Sequence, residues 1–253
     1  MKISSIVDIT GGELLNSPSI SFTTQIHTNY KKVNDGDLFI SNDDDEAIKE
    51  AINKGAFGII CNLDYKLIEI DTEIAWIGVE NIELAITKLL RFKLANLSVK
   101  SYYTDPICTE LITLLAPSQR KIYSISDPYS AIELLQDIDH NDILLSTDHS
   151  FLEKIYPKSQ PFPKAKDHYT NLIIHSLFET SFVYQDEYFY KLRLPYIYID
   201  HFLDVKEFLK LENCEFNKLK NCSFMQPLFF NKDHQIVDFG KSNRFIITSQ
   251  HKE

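Results

Sequence analysis

Glycine placement sets the first limit on this chain. Only 7 of the 253 residues are glycine. Gly11, Gly12, Gly36, Gly55, Gly58 and Gly78 lie near the start, and the seventh is Gly240. A phosphate loop of the Walker or dinucleotide type needs glycines, because its backbone must turn tightly and approach the anion closely. No such loop fits between positions 79 and 239. This argues against a standard nucleotide-hydrolysing site in most of the chain.

Charge narrows the partners. The net charge is −10, with 15 acids and 9 bases in residues 1–97, 9 and 5 in 98–158, and 12 and 12 in 159–253. There is no basic stripe, so nucleic acid is not an expected partner. There is no apolar run long enough for a membrane-spanning helix. The opening Met1-Lys2-Ile3-Ser4 lacks the apolar core of a signal peptide. Cys61, Cys108, Cys214 and Cys222 form no CxxC pair and read as reduced packing thiols of a cytoplasmic protein.

The spacing of apolar residues predicts a mixed α/β fold in three segments. In the first, 1–97, Ala47, Ile48, Ala51 and Ile52 share one face of a helix over 44–54 that Gly55 ends. Strands follow at Phe57–Cys61 and Ala75–Val79, and Asn81 caps a helix running to about Leu97. The second segment, 98–158, is a reduced parallel strand–helix layer. Strand-like Lys100–Thr104, Lys121–Ser126 and Asp142–Ser146 each lead into a helix. Two of these helices open with Asp-Pro (Asp105-Pro106, Asp127-Pro128) and the third with Thr147 or Asp148. Aspartate as cap and proline as first helical residue form a well-motivated start signal. Short strand–helix repeats imply helical crossovers over a parallel sheet.

Pro157, Pro161 and Pro163 mark a boundary. The third segment, 159–253, is aromatic-rich and mainly β, holding 18 of the 31 aromatic residues. It reads as strands at 171–184 and 188–199 joined at Gln185–Glu187, then a helix at Phe202–Leu211. A closing hairpin of 225–230 and 238–248 follows, turning at Asn231–His234, with Gly240 as a bulge. At zero net charge the aromatics read as a β core rather than a stacking platform.

Four stretches of the first segment carry a family likeness. They are Ile6–Leu14 (IVDITGGEL), Val33–Ile40 (VNDGDLFI), Ala47–Gly58 (AIKEAINKGAFG), and Ile77–Val79 followed by Asn81–Leu90. Together they resemble the N-terminal domain of the Mur ligases, most closely the type that joins D-alanyl-D-alanine to a UDP-muramyl tripeptide. The resemblance implies that this domain holds the UDP-sugar end of a peptidoglycan precursor, with Lys31, Asp37 and Phe39 at the substrate-binding positions. It further implies a central domain that binds ATP and phosphorylates the substrate carboxylate, and a last domain that brings the amine.

The chain departs from that pattern where the chemistry would be. The family's Asp-Ser-Arg is here Asn29-Tyr30-Lys31, and Lys31 lacks the bidentate fork of Arg. The loop between Ile40 and Ala47 is shortened to acidic residues that would repel a diphosphate without an intervening cation. The family's P-loop aligns with Tyr102–Thr109, which has no glycine. There Thr104, Asp105, Pro106 and Thr109 occupy a degenerate phosphate-binding position, and Asp105 puts a negative charge where phosphate would sit.

Other candidates have ordinary readings. Asp43, Asp44, Asp45 and Glu46 could hold a divalent cation but read as an acidic helix start. His140, Asp142, Asp148 and His149 gather near one edge of the predicted sheet, yet match no metal motif. His168, His175 and His201 read as hydrogen-bonded packing residues. Cys214 and Cys222 read as ordinary thiols. No cofactor is expected. The sequence thus points to a Mur-ligase-related protein without ATP-dependent ligation, binding a UDP-muramyl precursor or a Mur enzyme. The alternatives are an active enzyme with a rearranged site and an interaction module with no cell-wall link.

Overall fold

The computed structural model describes residues 1–65, 72–116, 121–219 and 226–248. Contacts sort the chain into two compact units, Met1–Tyr103 with Lys121–Gln160, and Thr104–Arg120 with Pro161–Glu253.

The first unit is α/β. Helix α1 (Ile3–Thr10) precedes strands β1 (Glu13–Leu14), β2 (Ile26–His27) and β3 (Leu38–Ile40). Helix α2 (Asp45–Asn53), strands β4 (Gly58–Asn62) and β5 (Ala75–Val79), and helix α3 (Ile82–Ala95) follow. The five strands form one sheet in the order β1-β5-β4-β3-β2. β2 to β5 run parallel, and β1 is antiparallel to β5. Both faces are covered, so β3 to β5 are almost wholly buried apolar runs, as parallel strands should be. Phe39, Ile59, Cys61 and Trp76 pack beneath Ala47, Ile48 and Ala51 of α2. Leu38, Ile60 and Ile77 face the other way, into the core that holds Ile86, Leu89 and Leu90 of α3.

That core continues into a second sheet of the same unit. Strands β6 (Lys100–Tyr103), β7 (Ile122–Ser124) and β8 (Ile143–Ser146) are parallel. The sheet order is β7-β8-β6-β9, where β9 (Gln160–Pro161) is the two-residue strand at the unit boundary. Helices α5 (Pro128–Leu134) and α6 (His149–Ile155) pack on α3 through Ile132, Phe151, Leu152 and Ile155. The helix between β6 and β7, α4 (Pro106–Leu115), belongs by its contacts to the second unit, where it packs against α7 (Ile199–Leu211).

The second unit is antiparallel β with these two helices. Strands β10 (Thr170–Ser176), β11 (Glu179–Tyr184) and β12 (Glu187–Leu192) form one sheet. β13 (Gln226–Phe230), β14 (Ile236–Val237) and β15 (Phe245–Thr248) form another, with β13 central. The stretch expected as one strand over 171–184 is a hairpin that turns at Leu177-Phe178. The strand expected to reach Ile199 ends at Leu192, and α7 starts a turn before Phe202. The closing hairpin gains β14, and Gly240 sits in a turn at φ +74 rather than in a bulge. Met225 lies outside the described residues. Phe182 stacks on Phe189 at 4.9 Å, and Phe202 of α7 meets both edge-on. Phe178 does the same to Phe229, Phe239 and Phe245.

Candidate functional site

Helix α4 begins where an anion cradle would open. Asp105 is extended at φ −95, and Pro106 holds the first helical position, where a missing N–H costs nothing. The Cys108 N–H donates to Asp105 Oδ1 at 2.8 Å, and Thr109 Oγ1 donates to the Asp105 carbonyl at 3.0 Å. Thr104 is half-buried just before the cap. Burial alone would raise the Asp105 carboxyl. The Cys108 backbone N–H and thiol outweigh it, aided by His201 and Lys164, and hold it below the ordinary value. The helix N-terminus therefore already holds an ionised carboxylate.

Of the neighbouring groups of this unit the second carboxylate, Asp204, is engaged, whereas His201, expected as a hydrogen-bonded packing residue, has a buried Nδ1 without a hydrogen-bond partner among the described residues. His201 Nε2 lies 3.9 Å from Asp105 Oδ1, and Lys164 Nζ lies 2.7 Å from Asp204 Oδ2. The Ala165 N–H donates to Asp204 Oδ1 at 2.7 Å. Burial, and then the Asp105 charge, push the Cys108 thiol far above its usual value, so it is not a thiolate nucleophile. A triphosphate here would have to expel one anion and face a second, and the turn lacks the glycines for a close approach. The residues at this turn do not fit ATP.

A second carboxylate-centred cluster lies in the first unit. Glu133 of α5 accepts from the Thr28 and Asn29 N–H groups, at 2.6 and 3.1 Å through Oε1. Its Oε2 lies 3.2 Å from His27 Nδ1 and 3.1 Å from Lys32 Nζ. Burial would raise the Glu133 carboxyl, but these donors hold it low. His27 is buried, and its Nε2 faces Asp37 Oδ2 at 3.5 Å without a hydrogen bond. Asp37 accepts from Thr24 Oγ1 and from the N–H groups of Gln25 (3.0 Å) and Asn34 (2.9 Å). The sequence carried no local signal for Glu133, which lies 106 positions from His27.

Of the three expected substrate-binding residues, two are buried and one is exposed. Asp37 is buried and fastens the turn before β3, and Phe39 is 2% exposed in the core beneath α2. Lys31 is exposed on the short turn Tyr30–Lys32, which Asn29 caps, with its Nζ 5.9 Å from the Tyr30 ring centre.

The other candidates separate as well. Asp44 caps α2, Asp43 accepts from Asn62, and Asp45 accepts from the Tyr65 hydroxyl. His140 and Asp142 precede β8, while Asp148 and His149 follow it, so a whole strand stands between the pairs. The single-edge grouping expected from sequence does not form. His140 Nδ1 accepts from the Ser98 N–H, Asp148 caps α6, and His149 lies 4.3 Å from the Tyr103 ring. Among the described residues, no three His, Cys, Asp or Glu could hold a metal ion. His168 is exposed, and His175 Nε2 bonds Ser181 Oγ at 2.7 Å. Cys214 Sγ contacts the Glu212 carbonyl at 3.7 Å, and Cys222 lies outside the described residues. No helix among the described residues is long and apolar enough to cross a membrane.

No protein-family model matches the sequence, and no curated protein matches it. Solved structures do. The MurF ligase of Thermotoga maritima in complex with ADP matches at 16% identity with a TM-score of 0.50, over 81% of this chain and 66% of that one. The Acinetobacter baumannii UDP-N-acetylmuramoylalanyl-D-glutamyl-2,6-diaminopimelate–D-alanyl-D-alanyl ligase matches at 12% identity and TM-score 0.51, over 84% and 65%. A second crystal structure of MurF from that organism gives 12% and 0.52, over 84% and 64%. The chain thus has a Mur-ligase-like fold and spans slightly under two thirds of the length of these ligases.

Proposed function

We propose that this chain is a cytoplasmic binding or scaffolding protein of peptidoglycan precursor metabolism, without ATP-dependent ligation. On this reading residues 98–158 descend from a Mur central domain, and Thr104–Thr109 is a former phosphate loop. The observation that carries the proposal is Asp105. Its carboxylate caps α4 at 2.8 Å from the Cys108 nitrogen, on the helix terminus where a phosphate would be bound. Glu133 plays the corresponding part in the first unit, taking the backbone N–H groups beside Lys31. The Mur-ligase-like fold gives the reading its pathway, and the two self-supplied carboxylates give it the loss of anion chemistry.

Isothermal titration calorimetry of the full chain tests both halves. Mg-ATP is expected to give no heat of binding, while a UDP-muramyl peptide, or an immobilised Mur enzyme in a parallel capture experiment, is expected to bind. Mg-ATP-dependent amide formation overturns the loss of ligation. Absence of binding to every precursor and every Mur enzyme overturns the pathway assignment.

A further inference from the structure

His27 stands between two buried carboxylates. Its side chain is 6% exposed at the end of β2, and those of Asp37 and Glu133 are 4% and 9% exposed. Nδ1 lies 3.2 Å from Glu133 Oε2 on α5, and Nε2 lies 3.5 Å from Asp37 Oδ2 in the turn before β3. One cation also faces this cluster: Lys32 Nζ, on the Tyr30–Lys32 turn, is 3.1 Å from the same Glu133 oxygen. Water screens little of the charge at such depth. Both carboxylates are fixed by other donors. Glu133 Oε1 takes the Thr28 and Asn29 N–H groups, and Asp37 takes those of Gln25 and Asn34 with the Thr24 hydroxyl. Burial raises both carboxyls, but these donors hold them below their ordinary values.

A ring placed like this does different work in its two charge states. A neutral imidazole has one N–H and one lone pair, whereas an imidazolium has two N–H groups. With a carboxylate at each nitrogen, the neutral ring must aim its lone pair at one of them. The charged ring donates toward both, and such charge-assisted contacts are the strong ones. The buried Nε2, which has no hydrogen-bond partner, is the atom whose proton decides between these states. We propose that His27 is a proton-operated latch: charged, it fastens the segment 28–32 and the turn at Asp37 to α5, and neutral, it lets them loosen. Histidine suits the part, because it is the side chain whose charge changes around physiological pH. The sign follows from the geometry. The proton-bound form makes both contacts, so the latch is closed on the acid side and opens as pH rises. The segment that it frees carries Lys31, which is exposed.

Hydrogen exchange of the full chain, read as protection factors from about pH 6 to about pH 8.5, tests the proposal. Protection of the Thr28 and Asn29 amides on Glu133, and of the Gln25 and Asn34 amides on Asp37, should fall at least about tenfold as pH rises. The Ala47 amide, held by Asp44 at the start of α2, should keep its protection. His27→Gln cannot take up a proton and should show no such step. Constant protection in the native chain, or the same step in His27→Gln, overturns the proposal. Should His27→Gln fail to fold, nitrogen NMR of the native His27 ring decides. Both ring nitrogens must carry protons at the acid end of the range and only one at the other end, and a ring whose protonation does not change overturns the latch.

Discussion

At the scale of single residues, two carboxylates hold backbone N–H groups, one at the start of α4 and one just after β2. Asp105 works locally, on an amide three positions ahead. Losing a side-chain cap costs about 1 kcal/mol, and asparagine caps as well as aspartate. Asp105→Ala should therefore lower unfolding stability by about 1 kcal/mol in urea titration, and Asp105→Asn by much less. Neither variant should bind Mg-ATP in calorimetry, because the glycines remain missing. Glu133 works at long range and carries more. Removing it strands the Thr28 and Asn29 N–H groups and the buried His27 ring. Hydrogen bonds to a charged group contribute about 1.5–3 kcal/mol, so Glu133→Ala should cost about 2–3 kcal/mol. Hydrogen exchange at the Thr28 and Asn29 amides should accelerate in the same variant. Unchanged exchange there would show that the loop does not depend on Glu133.

At the scale of elements, the turn between α2 and β4 shows how backbone geometry chooses the residue. Gly55 has φ +91, and an added Cβ would stand 2.6 Å from Asp35 Oδ1 and 3.0 Å from the Asp35 Cα. Gly240 has φ +74 with nothing within 4 Å. A left-handed alanine costs about 1–2 kcal/mol at either site, and only Gly55 adds a steric clash. Thermal denaturation should rank Gly55→Ala as the more destabilising. Equal losses would mean that Asp35 moves aside freely. The same local logic explains what could be read in advance. The α2, α4, α5 and α6 starts are announced by Asp44, Asp105, Asp127 and Asp148, each of which accepts from an amide two or three residues on. Strand Ala75–Val79 is announced by a run buried on both faces. The Leu177-Phe178 turn carries no Gly, Pro, Asn or Asp, so a continuous strand was the natural reading. The start of α7 is hidden in Tyr196-Ile197-Tyr198, whose residues favour strands. Nor does an Asp-Pro start tell what a helix packs on: α4 goes to α7, whose sequence lies some 90 residues further along. The site was legible to the same extent. Asp105 could be read, since its partner is local, whereas Glu133 with His27, and Lys164 with Asp204, are pairings only tertiary structure makes.

At the scale of the whole molecule, the response to pH sets these carboxylates against the net charge of the chain. Asp37, Asp105, Asp127 and Glu133 are each pushed up by burial and pulled further down by hydrogen bonds, so all titrate below their ordinary values of 3.8 for Asp and 4.5 for Glu. A carboxyl lowered on folding contributes stability that is fully present above its unfolded value and is lost as pH falls through the folded one. Their joint contribution is thus intact at neutral pH and lost below about 4.5. The net charge of −10 acts oppositely at first, because self-repulsion fades on approach to the isoelectric point of 5.3. The melting temperature in scanning calorimetry should therefore stay level or rise slightly from pH 7 to 5.3, then fall steeply below about 4.5. Glu133→Gln should start lower at pH 7 and fall less steeply in acid, since the group that loses its charge there is already gone. A melting temperature that dropped between pH 7 and 5.5 would instead assign the acid sensitivity to groups titrating near neutrality. The lowered carboxylates would then not govern it.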